Sequence, residues 1–551
     1  MFKDHPKGLI VLFFANMGER FGYYTMLTIF VLYLQAYFGW DASHAGRVYG
    51  FFLFGIYFFP ILGGFISDKV LGYGKTITLG CFFMGLGYFL LGQPGMSEWA
   101  TYGCLGVIAL GVGLFKGNLA VLVGNLYDRK EVSHLRDAAF NLYYMGINIG
   151  AFFAPHAATS IRNWLLEKDG FTYHAALPEL AHRFLKGKLA DPAELQALAS
   201  AQLGGPVTDL GKFCSDYLSS LAQSYNAGFV LAAGSMIISL IIFLACRKFY
   251  QEADIRHKDK KAAEGAVELT PQQVKDRLVA LALVFFVVIF FWLAFHQNGF
   301  TLTLFAKNYT VGEVGRLTFI LFDLPALLGV VAAVWGLVLL IGRNFSGKLK
   351  GVGAALLVVG GASASIRASS FQADGNPITA ELFQAFNPIF IVFLTPVVIG
   401  VFSLLRQKGI EPGSPAKIGI GMFITAIGFG LMLFASAGLQ SVHALQGGVS
   451  PERVSPYWLI NVYLILTFAE LFLSPMGLSF VSKVSPPQYK GLMQGGWLGA
   501  TALGNLAAGF IGPFYEQWEL WQFFLMVVVL ALVSFTIVML ILKKLNRAIS
   551  S

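Results

Sequence analysis

Charge is scarce in this sequence. Asp, Glu, Lys and Arg make up 13% of its 551 residues, about half the share usual in soluble proteins. That excludes an ordinary cytosolic globular enzyme. Cysteine is scarce too: Cys81, Cys104, Cys214 and Cys246 are far apart and form no CxxC pair. Neither a metal cluster nor thiol–redox chemistry is expected, and no cofactor. The low hydrophobicity that disorder requires is missing, since 56% of residues are apolar. What abounds is Phe, with 52 residues, Gly, with 62, and long apolar runs.

Those runs recur at 9–36, 46–66, 74–93, 101–124, 138–164, 223–246, 278–304, 317–342, 350–366, 384–405, 416–437, 456–481, 490–512 and 519–542. Crossing the ~30 Å hydrocarbon layer takes about 20 helical residues. Backbone groups in lipid must be paired internally, and the runs lack the alternation of a barrel, so fourteen spanning helices are expected. The first run carries Glu19 and Arg20, unlike the clean apolar stretch of a cleavable signal.

Placing the N-terminus in the cytoplasm and alternating sides puts 26 of the 39 Lys and Arg residues on the cytoplasmic face. This is the positive-inside bias. It accounts for the net charge of +9 without nucleic acid, and it places both termini in the cytoplasm of an inner-membrane protein. Two long loops break the pattern. Residues 165–222 form an outer insert in which Asp191-Pro192-Ala193-Glu194 reads as a helix start. Residues 247–277 form a charged cytoplasmic linker. The expected domains are thus 1–246, with the insert, and 278–551, with two surplus spans at about 317–366 that pack outside the core. Gly63, Gly64, Gly111, Gly113, Gly117, Gly146 and Gly150 suit close helix approach. Pro60, Pro388, Pro396 and Pro475 are candidate hinges.

Ionisable groups at span centres are costly and usually line a cavity. Here they are Glu19, Arg20, Lys116, His296 and Glu470. Glu19 and Arg20 project about 100° apart on one helix, so each is expected to need a partner elsewhere, with Lys116 the natural one for Glu19. Glu470 has no evident static partner. Both signs of charge, drawn from both halves, suit a zwitterion whose carboxylate meets Arg20 or Lys116 and whose ammonium meets Glu470. A carboxylate alternating between a salt bridge and a protonated state would couple protons to helix contacts, and His296 can carry a proton near neutral pH.

The stretch Gly18-Glu19-Arg20-Phe21-Gly22-Tyr23-Tyr24 resembles the helix 1 signature of the proton-dependent oligopeptide transporters, a branch of the major facilitator superfamily. Gly113-Leu114-Phe115-Lys116-Gly117-Asn118, Phe140 to Gly150, Phe291 to Gln297, Asn387-Pro388-Ile389-Phe390-Ile391, Glu470 to Ser479 and Gly491 to Trp497 resemble further motifs of that family, in order along the chain. The resemblance implies an all-α polytopic membrane protein of two six-helix bundles plus two accessory transmembrane helices. It implies that Glu19, Arg20 and Lys116 serve proton coupling and carboxylate binding, and that Glu470 holds an amino terminus. It implies pocket roles for Tyr24, Tyr57, Asn141, Asn387, Trp458 and Trp497. Three charged positions depart from the family pattern: Asn16, Leu27 and His296 stand where an acid, a base and an acid are usual. His296 is the expected stand-in for the missing acids.

The leading expectation is a monomeric proton-coupled symporter, without enzymatic activity, importing di- and tripeptides across the lipid bilayer by alternating access. The altered charges keep open a transporter of another small solute (a modified peptide, amino acid or anion) or a weakly proton-coupled variant.

Overall fold

The computed structural model describes residues 5–128, 131–254, 270–342, 346–486 and 489–550. Most of the charged linker, 255–269, lies outside the described residues. Among those described, twelve helices are long and apolar enough to cross a membrane. In the first half these include α1 (Lys7–Phe38), α2 (Ala42–Ile66), α3 (Tyr73–Leu91) and α4 (Glu98–Leu126). Helix α5 (Arg136–Lys168) fills the fifth expected stretch with a more polar composition. The insert forms α6 (Leu177–Leu185) and α7 (Ala193–Leu203), followed by α8 (Leu210–Ala245). The Asp191 carboxylate accepts from the Ala193 N–H at the expected start of α7.

The second half begins with α9 (Pro271–Phe295), opened by a capping box between Thr270 and Gln273. A 3₁₀ turn over His296–Gly299 breaks the span before α10 (Thr301–Tyr309). His296 therefore sits at a helix break rather than within a continuous helix. The short α11 (Arg316–Phe319) precedes α12 (Leu324–Ile341), and α13 (Gly347–Ser369) returns. Asp323, near the outer end of the run 317–342, stands just before α12. It caps α12, accepting from the Ala326 N–H at 3.0 Å and pairing with Arg367 of α13. The fold continues through α14 (Phe386–Gln407), α15 (Ser414–Ala435), α16 (Tyr457–Val484), α17 (Lys490–Phe510), α18 (Gly512–Gln517) and α19 (Leu520–Ser550). Helix α17 occupies the thirteenth expected stretch.

Helix α1 packs on α5 and α8, α3 on α4 and α8, and α2 on α4; in the second half α15 packs on α16 and α19, and α17 on α9. The architecture is an all-α polytopic membrane protein of the two-bundle type. Helices α2 and α17 cross between halves where a Cβ on Gly509 would collide with the Gly46 carbonyl and one on Gly50 would meet Leu506 O at 2.9 Å. Only hydrogen fits there. Gly63, Gly111, Gly146 and Gly150 meet neighbouring helices as expected, but Gly64 and Gly117 face open space.

The surplus pair α12–α13 crosses at Gly329 and Gly360. It lies outside the bundles, yet it straddles the seam between them. Leu324, Leu327 and Val331 of α12 pack on Phe152 and Phe153 of α5 and on Ile389 of α14, and Trp335 stacks on Phe393 of α14.

Contacts between halves concentrate at the end that carries the insert. Arg162 of α5 pairs with Glu381, in the 3₁₀ segment Ala380–Ala385, with both side chains fully buried. Lys307 donates to Gln35 at 3.1 Å, Gln384 to the Thr28 carbonyl at 3.5 Å, and the Ser43 N–H to Glu516 at 3.2 Å. At the opposite end Leu62 and Phe65 of α2, Tyr144 of α5 and Leu492 of α17 are exposed.

Candidate functional site

Helices α1, α2 and α4 form one wall of the charged region. On α1, Glu19 and Arg20 are buried, and the Arg20 guanidinium makes a two-point contact with the Glu19 carboxylate. This corrects the expectation that each needs a partner on another helix. An arginine stem is long enough to fold back along its own helix, and its planar fork matches a carboxylate. The 100° between the Cα–Cβ directions is therefore no barrier. The guanidinium also lies 4.7 Å from the Tyr23 ring centroid.

Lys116 is thereby released from Glu19. Its ammonium stands 3.9 Å from the Tyr57 ring centroid, a cation–π contact. None of the ion pairs among the described residues involves it. Tyr57 in turn meets His296 edge-on, with centroids 6.1 Å apart, and lies 6.4 Å from Trp292. His296 is buried; its Nδ1 donates to the Trp292 carbonyl at 3.3 Å, and its own carbonyl accepts from Tyr49 at 3.4 Å.

The second wall comes from α14 and α16. Asn387 donates to Glu470 Oε2 and to Thr467 Oγ1, both at 3.0 Å. Glu470 thus has a static partner, though an uncharged one. One helical turn on, the buried Ser474 hydroxyl has no partner among the described residues. Tyr24 and Tyr57 lie within electrostatic reach of both Arg20 and Glu470, so the two walls face one shared region. Glu470, Asn387, Lys116, Tyr24 and Tyr57 are only partly buried, whereas Glu19 is fully enclosed.

Three expected pocket residues are placed differently. Trp458 is the second residue of α16, about 18 Å along the helix axis from Glu470 at 1.5 Å per residue. Trp497 is buried with its ring pressed where a Gly477 side chain would stand, which fits packing of α17 on α16. Asn141 is exposed near the start of α5. Sequence reasoning missed Arg162, Glu381, Tyr49, Thr467 and Gln297. Arg162 and Glu381 lie near span ends, where charges carry little signal, and only their mutual burial singles them out.

Among the described residues, no group of three or more His, Cys, Asp or Glu could hold a metal ion. An all-helical bundle with opposed charges at mid-membrane is a transporter framework rather than an enzyme site. The chain belongs to the POT family, whose model matches residues 74–270 and 366–523. It is 27% identical over 538 residues to the peptide transporter YePEPT of Yersinia enterocolitica, covering 93% of this chain and 88% of that protein. It is 26% identical over 524 residues to dipeptide and tripeptide permease B of Xenorhabdus bovienii, covering 92% and 87%. A POT family transporter solved with 5-aminolevulinic acid has the same fold, with a TM-score of 0.69 at 18% identity, covering 99% and 98% of the two chains.

Proposed function

We propose that this chain is a proton-coupled symporter that imports di- and tripeptides across the inner membrane by alternating access. One observation carries the reading: Lys116, without an acid partner, and Glu470, held only by an amide, approach a common region from opposite halves. A peptide offers them a carboxylate and an ammonium. The names of the two relatives support the substrate class.

In this proposal residues 1–246 and 278–551 are the moving bundles, the monomer is the transport unit, and both termini face the cytoplasm, following the distribution of basic residues. Lys116 takes the substrate carboxylate, Glu470 and Asn387 take the ammonium, and Tyr24 and Tyr57 line the space between. With the insert end closed, the site is reached from the cytoplasmic side. Glu19 does not alternate onto Lys116 here; it travels with Arg20 as a neutral unit. His296, beside Lys116 and Tyr57, is the proposed proton relay.

Uptake of labelled dialanine into proteoliposomes under an inward proton gradient tests this. Accumulation that collapses with the gradient and is competed by other di- and tripeptides supports it. Flux indifferent to peptides, but competed by an amino acid or a modified peptide, favours the second reading, which the altered positions Asn16, Leu27 and His296 motivate.

A further inference from the structure

A groove of about 610 Å³ runs along the lipid-facing side of α2 and α4, and none of the charged-site residues lines it. Its walls include Phe51, Phe54, Phe58 and Leu105. The Phe54 and Phe58 rings stack with centroids 5.3 Å apart, and Phe51 is 57% exposed. Its depth comes from small residues. A side chain on Gly106 would meet nothing within 4 Å, and α2 and α4 approach closely at Gly55 and Ala109.

One end of the groove is polar. Arg47 and His44 line it there. Among the described residues Arg47 donates to Ser43 alone, at 2.9 Å, which leaves most of its five N–H donors. An aromatic cluster marks the level of this end. Trp40 stacks on His44 at 4.0 Å, Trp99 meets Tyr102 edge-on, and Trp99 is 83% exposed. Exposed Trp and Tyr beside a cation are the signature of the headgroup layer. From Arg47 to Phe58 the helix rises about 16 Å, roughly half of the ~30 Å hydrocarbon layer. That is the reach of one leaflet's acyl chain.

The rim also selects among headgroups. Asp41 and Glu98 are exposed at the same end, where α2 and α4 begin, and Glu516 of α18 lies within electrostatic reach of Arg47. Asp41 caps α2 through the His44 N–H, and Glu98 accepts from the Trp40 indole at 3.1 Å. One guanidinium among the three carboxylates Asp41, Glu98 and Glu516 leaves the rim net negative, which repels a headgroup that is only anionic. A phosphodiester carrying a primary ammonium satisfies both signs.

We propose that the α2–α4 groove is a binding site for phosphatidylethanolamine, with its phosphate on Arg47, its ammonium toward Asp41 and Glu98, and an acyl chain along Phe51, Phe54 and Phe58. Nothing in this proposal depends on the transported substrate.

The test places the purified full chain in phosphatidylcholine nanodiscs containing a phosphatidylethanolamine with a photoreactive acyl chain. Cross-links are mapped by mass spectrometry, and labelling of residues 51–59 and 105–109 is read as a ratio to labelling of the lipid-exposed Val358 and Val359 on α13. The ratio cancels any loss of folded protein. We expect it to exceed unity at least threefold, to fall at least threefold in Arg47→Gln and in Gly106→Phe, and to be competed by unlabelled phosphatidylethanolamine but not by phosphatidylglycerol. The two variants act separately on head and tail. A ratio near unity in the unaltered chain, or one that neither variant changes, overturns the site. Equal competition by phosphatidylglycerol overturns the headgroup assignment.

Discussion

Two buried arginine–glutamate pairs lie in this molecule and do opposite things. Glu19 and Arg20 are neighbours on one helix. Arg162 and Glu381 are 219 residues apart and join the two halves. Both pairs are almost wholly withdrawn from solvent, so each partner neutralises a charge that would be costly alone. The local pair moves with α1 and leaves every other helix free. It also leaves Lys116 uncommitted. The distant pair is a tie. Asn163 accepts from the same guanidinium at 2.9 and 3.1 Å, and the Tyr173 ring lies 3.8 Å from it. If the insert end opens, this contact has to part. The same chemistry yields a carried neutral unit in one place and a latch in the other, and chain connectivity makes the difference.

The comparison breaks most sharply at Arg20. Arg20→Gln strands the Glu19 carboxylate in the bundle, and removing one partner of a buried pair costs about 3–5 kcal/mol. A thermal melt of the purified protein should fall steeply. The double variant Glu19→Gln with Arg20→Gln should recover most of the melt while dialanine uptake stays lost. If the single variant melts normally, the pair is not a unit.

Glu381→Gln comes next. Arg162 keeps Asn163 and the Tyr173 ring, so the loss should sit at the low end of that range, about 3 kcal/mol. It should appear as a shift toward the outward-open form rather than as global unfolding. Hydrogen exchange should rise at the start of α2 and in α18 but not in α3. Uniform exchange would make the pair structural only.

Glu516, in α18 at the insert end, offers a smaller, pH-dependent handle. Burial, with Asp41 nearby, raises its carboxyl to about 7. An acid raised in the folded state is stabilising while protonated. That contribution is complete below the ordinary carboxyl range and is lost as pH rises through about 7. The protection factor at the Ser43 contact, which divides out the base-catalysed rise of free-amide exchange, should therefore fall between pH 6 and pH 8, and Glu516→Gln should flatten the profile. A pH-dependent variant would assign the effect elsewhere.

The smallest effect is expected at Tyr57. Tyr57→Leu removes the ring beneath the Lys116 ammonium, a contact of about 0.5–2 kcal/mol. The KM for dialanine should change several-fold while the protein melts as before. An unchanged KM would mean that the ring does not tune Lys116.

Much of the fold is legible in the order of residues. Each expected span has its helix, because about 20 apolar residues in lipid admit few other structures. The start of α7 at Asp191-Pro192 was readable for the same local reason. The importance of Glu19, Arg20, Lys116, His296 and Glu470 was readable too, because ionisable groups stand out in apolar runs. Their partnerships were not. Reading directions from a helical wheel treats side chains as short spokes, whereas Arg20 bends back to Glu19 and Lys116 turns to a ring. Trp458 and Trp497 show the converse. A residue type in the right motif says nothing about its height along α16 or about what presses on its ring.

Residue order by itself thus decided that the chain is a bundle of membrane-crossing helices, which ones carry charge, and that it resembles peptide transporters. Those properties follow from local composition against the solvent that lipid provides. Only the tertiary arrangement decided that Arg162 closes on Glu381, that α12 and α13 lie across the seam, and that Lys116 and Glu470 face a shared region. Such contacts join residues tens to hundreds of positions apart, and packing geometry selects them.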